Sequence, residues 1–111
     1  MTELEYFINE TLEGILPPVT KESILNAVCS HFRVSEIDLK GRNRAKNTVL
    51  ARHFYMFFLK DKDIFRTLTK IGEETNKDHA TVLHAINKLK YWIENYEDIK
   101  AIYNNINQKL Y

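Results

Sequence analysis

A chain of 111 residues, 28% charged and carrying only three glycines and two prolines, has enough apolar residues for one domain with its own core and too few residues for two full ones. No run reaches the roughly 18 apolar residues needed to cross a bilayer, and Met1 to Ile15 mixes charge with apolar residues unlike a signal peptide, so a membrane protein is excluded and a cytoplasmic location expected. The single cysteine, Cys29, has no partner for an intramolecular disulfide and reads as a core residue in a reducing compartment, while a net charge of +1 excludes a grossly basic nucleic-acid binder.

The apolar spacing is helical nearly everywhere, which predicts an all-α bundle. The whole chain, 1–111, reads as one domain made of a leading amphipathic helix (1–16), a core (20–96) and a terminal helix (97–111). Thr2 with Glu5 suits a capping box for the first helix, whose stripe of Leu4, Phe7, Ile8, Leu12 and Ile15 runs to Pro17-Pro18. Thr20 then caps a helix with Ile24, Leu25, Val28, Cys29 and Phe32 inward, and Ser35 opens a short turn of helix ending near Gly41.

From Leu39 to Lys60 the positive residues Lys40, Arg42, Arg44, Lys46, Arg52 and Lys60 meet no Asp or Glu, so one face is predicted to be positive although the chain is nearly neutral. A helix over about Thr48–Lys60 is apolar around most of its circumference and is placed at the centre. Asp63 is the expected cap of the next helix, with Ile64, Phe65, Leu68 and Ile71 inward, fading at Gly72 into a polar end and tight turn over Glu73–Lys77. A long helix then starts near Lys77. Its stripe of Val82, Ile86, Leu89 and Ile93 faces inward, extended by Tyr96, while Lys77, Thr81, His84 and Lys88 recur on the opposite side. Ile99, Ile102, Tyr103, Ile106 and Leu110 predict a terminal helix that closes the core.

A short helix, a tight turn and a second helix with a hydrogen-bonding N-terminus form the pattern that inserts into a DNA major groove. His79 can donate or accept at a base edge, Asp78 can accept from a cytosine amine, and Ala80 offers a methyl to thymine. Thr81, His84 and Lys88 lie farther along, where phosphates run, and the loop with Lys40, Arg42, Arg44 and Lys46 is suited to the backbone or the minor groove. A bland reading of the same features is a solvated helix face and a solvated charge run.

Three stretches add a resemblance. Asp78-His79-Ala80-Thr81-Val82-Leu83-His84-Ala85 is similar to the signature of the C-terminal DNA-binding domain of the bacterial replication initiator DnaA. Leu39-Lys40-Gly41-Arg42-Asn43-Arg44 followed by Val49-Leu50-Ala51-Arg52 resembles that family's basic loop and succeeding helix, and Leu68 to Gly72 resembles the first helix of its motif. The resemblance spans about Thr20 to Lys90 and implies a helical bundle with a Trp-repressor-like helix-turn-helix that recognises duplex boxes at replication origins. It implies base reading by Asp78, His79 and Ala80, a minor-groove role for Arg44, and backbone contacts from Lys46, Arg52, Thr81 and His84; Lys40, Arg42, Lys77 and Lys88 join the backbone set by their charge and position alone. Double-stranded DNA is the implied partner, near the nucleoid.

Departures from the family pattern bear on the target. Ala80 stands where threonine is usual, the turn before Asp78 is one residue shorter, and Glu73 and Glu74 bring negative charge that repels phosphate. No GxxxxGK[ST] loop occurs, so no nucleotide site of that kind is expected, and Met1 with the extra first helix favours a stand-alone relative over an excised domain. No cofactor or metal is expected. His79 and His84 are five residues apart, about 500° of rotation and so roughly 140° off a common helix face, which argues against a zinc pair and against an enzyme. The rival reading is a protein-interaction adaptor or inhibitor with an initiator-like fold that has lost DNA affinity, and the leading helix 2–15 is its candidate surface for self-association or a protein partner.

Overall fold

A computed structural model describes residues 19–63 and 66–110, and in it six α-helices build the bundle: α1 Lys21–Phe32, α2 Glu36–Lys40, α3 Lys46–Lys62, α4 Leu68–Thr75, α5 His79–Asn95 and α6 Glu97–Lys109. The leading helix expected over 1–16 lies outside the described residues, as do Ile64 and Phe65.

Local chemistry sets the helix starts. Thr20 caps α1 through a reciprocal box in which the Ser23 amide donates to Thr20 Oγ1 at 3.1 Å and the Thr20 amide donates to Ser23 Oγ at 2.9 Å. Ser35 caps α2, and Gly41 closes it as the sequence suggested. α4 begins later than expected. Asp63 is not its cap but the residue that ends α3, followed by a turn in which the Arg66 amide donates to the Asp63 carbonyl; Thr67, accepting from the Lys70 amide at 3.1 Å, is the cap. The long α5 starts at His79 rather than near Lys77, with Asp78 as its cap.

The axis of the bundle is α3, which packs against α1, α2, α4 and α5. Its Ala51, Phe54, Tyr55, Met56, Phe58 and Leu59 are buried, consistent with a helix that is apolar on most sides. Aromatic contacts run outward from it: Phe32 against Phe54, Phe54 against Phe58, and Tyr103 of α6 stacked on Phe58 with ring centroids 5.4 Å apart. On α5 the inward stripe is Val82, Ala85 and Leu89, fully or almost fully buried, with Ile86 and Ile93 half-buried beside them. Ile106 of α6 is completely buried, so the terminal helix closes the core. Two expectations shift: Cys29 is only half-buried, and Tyr96 is 50% exposed because it sits at the α5–α6 junction, where it ends one helix and starts the next. No helix of the described residues is long and apolar enough to cross a membrane.

Candidate nucleic-acid interface

Two segments that are more than thirty residues apart in sequence meet at the interface: the loop of residues 41–45 between α2 and α3, and the turn of residues 76–78 with the first turn of α5. The turn is built by two residues. Gly72 accepts from the Lys77 amide at 2.9 Å, and a Cβ on Gly72 would lie 2.2 Å from the Lys77 carbonyl oxygen, so only glycine lets the chain fold back this tightly. Asn76 takes the left-handed conformation (φ 57°, ψ 41°) that ends α4, which asparagine tolerates better than most residues. Its side-chain Nδ2 donates to the Lys40 carbonyl at 3.0 Å, tying the turn to the start of the basic loop.

Asp78 opens α5. The Thr81 amide donates to its Oδ1 at 2.7 Å, and hydrogen bonds from Thr81 hold the carboxyl below the usual aspartate range. Ala80, Thr81, His84 and Lys88 are exposed along one side of α5, and His79 is exposed on its first turn, about 140° round the helix from His84, so the base-reading candidates and most of the backbone candidates lie on open surface. Lys77 is half-buried, its amide committed to the turn.

Across the Asn76 link, Arg42, Arg44 and Lys46 are exposed. Lys46 is the first residue of α3, and that helix start has no side-chain cap, so its dipole and unsatisfied amides face the same region as the loop cations. Arg52 is placed elsewhere. The sequence expectation makes it a backbone contact, but only 5% of it is exposed, and its guanidinium donates to the carbonyls of Leu39 at 2.7 Å, Asp38 at 3.0 Å and Asn43 at 3.1 Å. A planar fork inside the loop can satisfy three carbonyls that would otherwise be stranded, so Arg52 shapes the loop from beneath. Lys40 is half-buried, and its ammonium is paired with Glu36 at 2.9 Å one helical turn earlier.

The acidic turn is also less open than its sequence. Glu74 is tucked under the motif, hydrogen-bonded to Arg66 and 4.0 Å from Lys21. Glu73 is exposed but lies 3.8 Å from Lys70. Compensated in this way, neither presents a bare charge at the turn, and the repulsion expected from the sequence is reduced.

Sequence reasoning passed over two contributors and read a third, Gly72, only as the place where the apolar pattern fades into a turn. Asn76 and Gly72 form the turn, and the signal was a glycine followed four residues later by an asparagine at a helix end. The other contributor passed over is a groove of about 540 Å³ beside the basic loop. Val49, Leu50, Trp92 and Ile99 floor it, Arg44, Lys46 and Lys88 rim it, and the Lys88 ammonium sits 4.9 Å from the centre of the Trp92 ring. His53, also lining it, is held below the usual histidine range by burial first and then by the charges of Lys88, Arg52 and His84.

Comparison with known proteins gives a consistent family. The family described as the bacterial dnaA protein helix-turn-helix matches residues 21–89. Similar proteins include the chromosomal replication initiator protein DnaA of Thermomicrobium roseum, 35% identical over 94 residues that make up 84% of this chain and 20% of that protein. The chromosomal replication initiator protein DnaA 2 of Chlamydia pneumoniae is 37% identical over 101 residues, 86% of this chain and 22% of that protein. Its counterpart in Chlamydia trachomatis is 43% identical over 76 residues, 68% of this chain and 16% of that protein. The chain therefore spans about a fifth of the length of these relatives.

Proposed function

This chain belongs to the bacterial DnaA helix-turn-helix family, and from that premise we propose that it binds double-stranded DNA sequence-specifically and acts in replication initiation or its regulation. The N-terminal turn of α5 enters the major groove, where His79, Ala80 and the Asp78 carboxylate face base edges. The Asp78 cap uses Oδ1, and a base amine is met by the other oxygen. Arg44 reaches toward the minor groove, and Arg42, Lys46, Thr81, His84 and Lys88 hold phosphates. Lys40 and Lys77 stand at the margin of that footprint.

The observation that carries this reading is the bond from Asn76 to the Lys40 carbonyl, because it fixes the distance between two elements that must straddle one backbone. A partner without two grooves gives no reason for that register. The rival, an adaptor that has lost DNA affinity, rests on the acidic turn and on the leading helix 2–15; the pairing of Glu74 with Arg66 weakens the first support, and the second lies outside the described residues.

Selection of duplexes from a random pool at two salt concentrations tests the proposal. We expect an enriched sequence whose affinity falls steeply with salt, with a log–log slope of about −0.9 per phosphate neutralised. Arg44→Ala and His79→Ala are each expected to weaken binding roughly 5- to 150-fold, the effect of losing about 1–3 kcal/mol of base readout. Enrichment of no duplex even at low salt sinks the proposal.

A further inference from the structure

The groove beside the basic loop joins an apolar floor to a charged rim. A phosphate backbone engages the rim and leaves the methyl groups of Val49, Leu50 and Ile99 wet, so duplex binding does not account for the floor. Nor does the floor suit a stacked base, which needs an open aromatic plane. The Lys88 ammonium lies over the Trp92 ring at 4.9 Å, His53 flanks the same ring at 6.4 Å, and Tyr96 meets Tyr91 edge to face. A volume of about 540 Å³ instead takes a few apolar side chains. Among the described residues the lining holds three cations, Arg44, Lys46 and Lys88, against one acid, Asp98. None of the three pairs with a described carboxylate, in contrast to Lys40 and its Glu36. Asp98 is turned to its own helix start, where its Oδ1 accepts from the Ile99 amide at 2.9 Å.

We infer that this groove docks a partner protein through an acidic amphipathic segment, its apolar side chains on Val49, Leu50, Trp92 and Ile99 and its carboxylates toward Arg44, Lys46 and Lys88. Charge complementarity sets the sign of the occupant. A neutral or basic segment lying on the floor would desolvate three cations without giving them a partner, whereas an acidic one turns the same burial into attraction. The floor sets the second property, since a purely acidic segment leaves the methyl groups and the indole in water. The rim cations also belong to the proposed DNA footprint, so the segment and a duplex exclude each other, and the partner regulates DNA binding by competition. That exclusion rests on the proposed function, whereas the docking itself does not.

Selection of peptides from a random displayed library on the 111-residue chain tests the inference. The expected consensus places apolar residues at helical spacing among aspartates and glutamates. Trp92 is the only tryptophan of the chain and lies in the groove, so a selected peptide without tryptophan should shift its emission and should displace a bound duplex. I99S alters the floor outside the DNA footprint; it should weaken that peptide at least about fivefold and leave duplex affinity unchanged. K88E reverses an exposed charge and spares the floor, so it should weaken the peptide by at least as much even if circular dichroism shows I99S to be unfolded. Peptide binding with these losses, but no duplex bound by any form, supports docking and rejects the DNA reading. A library that enriches no acidic apolar consensus, or only peptides indifferent to both substitutions, overturns docking whether or not a duplex binds. Oligothymidylate that shifts Trp92 emission where no peptide does gives the floor to single-stranded DNA, and a dimer that shields Trp92 from every peptide and is lost in K88E gives it to a second copy; either result overturns the inference.

Discussion

Arg52 brings a guanidinium to the edge of the core and spends its donors on the carbonyls of Leu39, Asp38 and Asn43. By position in the sequence it belongs to a run of cations without acids, and nothing in that run distinguishes an inward arginine from an outward one. The distinction comes from the helix: Arg52 lies between the buried Ala51 and Phe54 on a face that points back under the loop. The two roles separate experimentally. If Arg52 shapes the loop, Arg52→Gln costs about 2–3 kcal/mol of stability through stranded carbonyls and weakens duplex binding without changing the salt slope. A phosphate contact instead lowers that slope by nearly one. Salt titrations of binding for wild type and R52Q, below their melting ranges, decide between them. His53 gives a second residue-scale outcome. Burial, then Lys88, Arg52 and His84, lowers its pKa in the fold, so below about pH 6.5 the unfolded chain takes up a proton that the folded chain resists. Stability is therefore expected to fall as pH drops below that point. His31, lowered by burial and by Lys109, adds to the same slope. The change in melting temperature between about pH 7.5 and about pH 5.5 should be smaller in H53Q than in wild type; an equal change would assign the slope to other groups.

At the scale of elements, the two-helix motif was largely legible because its second helix has a cap residue and two clean stripes, Val82-Leu89 inward and Thr81-His84-Lys88 outward. Its first helix was less so. Asp63 has the chemistry of a cap, but α3 runs to Lys62 and leaves Asp63 as its closing residue, so the cap passes to Thr67. Gly72 was readable as the place where the apolar pattern fades, yet its role is a close approach between chains that are not adjacent in the pattern. Periodicity reports which face is buried; it carries no information about a backbone oxygen five residues on. The consequence is sharp for Gly72→Ala. Its Cβ would press on the Lys77 carbonyl at 2.2 Å, and backbone cannot swing aside as a flexible side chain can. The turn must open, at a cost of about 1–3 kcal/mol typical of overpacking. Because Asn76 is in that turn, the shift also moves the Lys40 tie, so duplex affinity should fall further than global stability does. Titration by fluorescence anisotropy beside thermal denaturation checks this, and unaltered affinity with a fully folded G72A would remove the turn from the reading mechanism.

At the scale of the whole molecule, the family match ends at residue 89 while the core does not. Past that point Tyr103 stacks on Phe58 of the central helix, and Ile106, completely buried, and Leu110, 8% exposed, close the open end of the bundle. The apolar spacing of the last fifteen residues anticipated this closure; it did not show that α6 would touch both α1 and α5, since sequence order says nothing of which neighbours a terminal helix joins. A bundle closed by its last helix should lose stability as a unit when that helix is loosened. Ile106→Ala removes a fully buried side chain and is expected to cost about 2–5 kcal/mol, against a typical total of about 5–15 kcal/mol. For a chain of this size that corresponds to a melting temperature lower by about 10–20 °C, in one transition seen equally by circular dichroism and by Trp92 fluorescence. Kept cold enough to remain folded, I106A should bind duplex DNA as wild type does, because Ile106 lies in the core and not among the exposed residues of α5 and the basic loop. Two separate transitions, with α6 lost first while the rest stays folded, would instead make α6 an appendage to a core complete by Asn95.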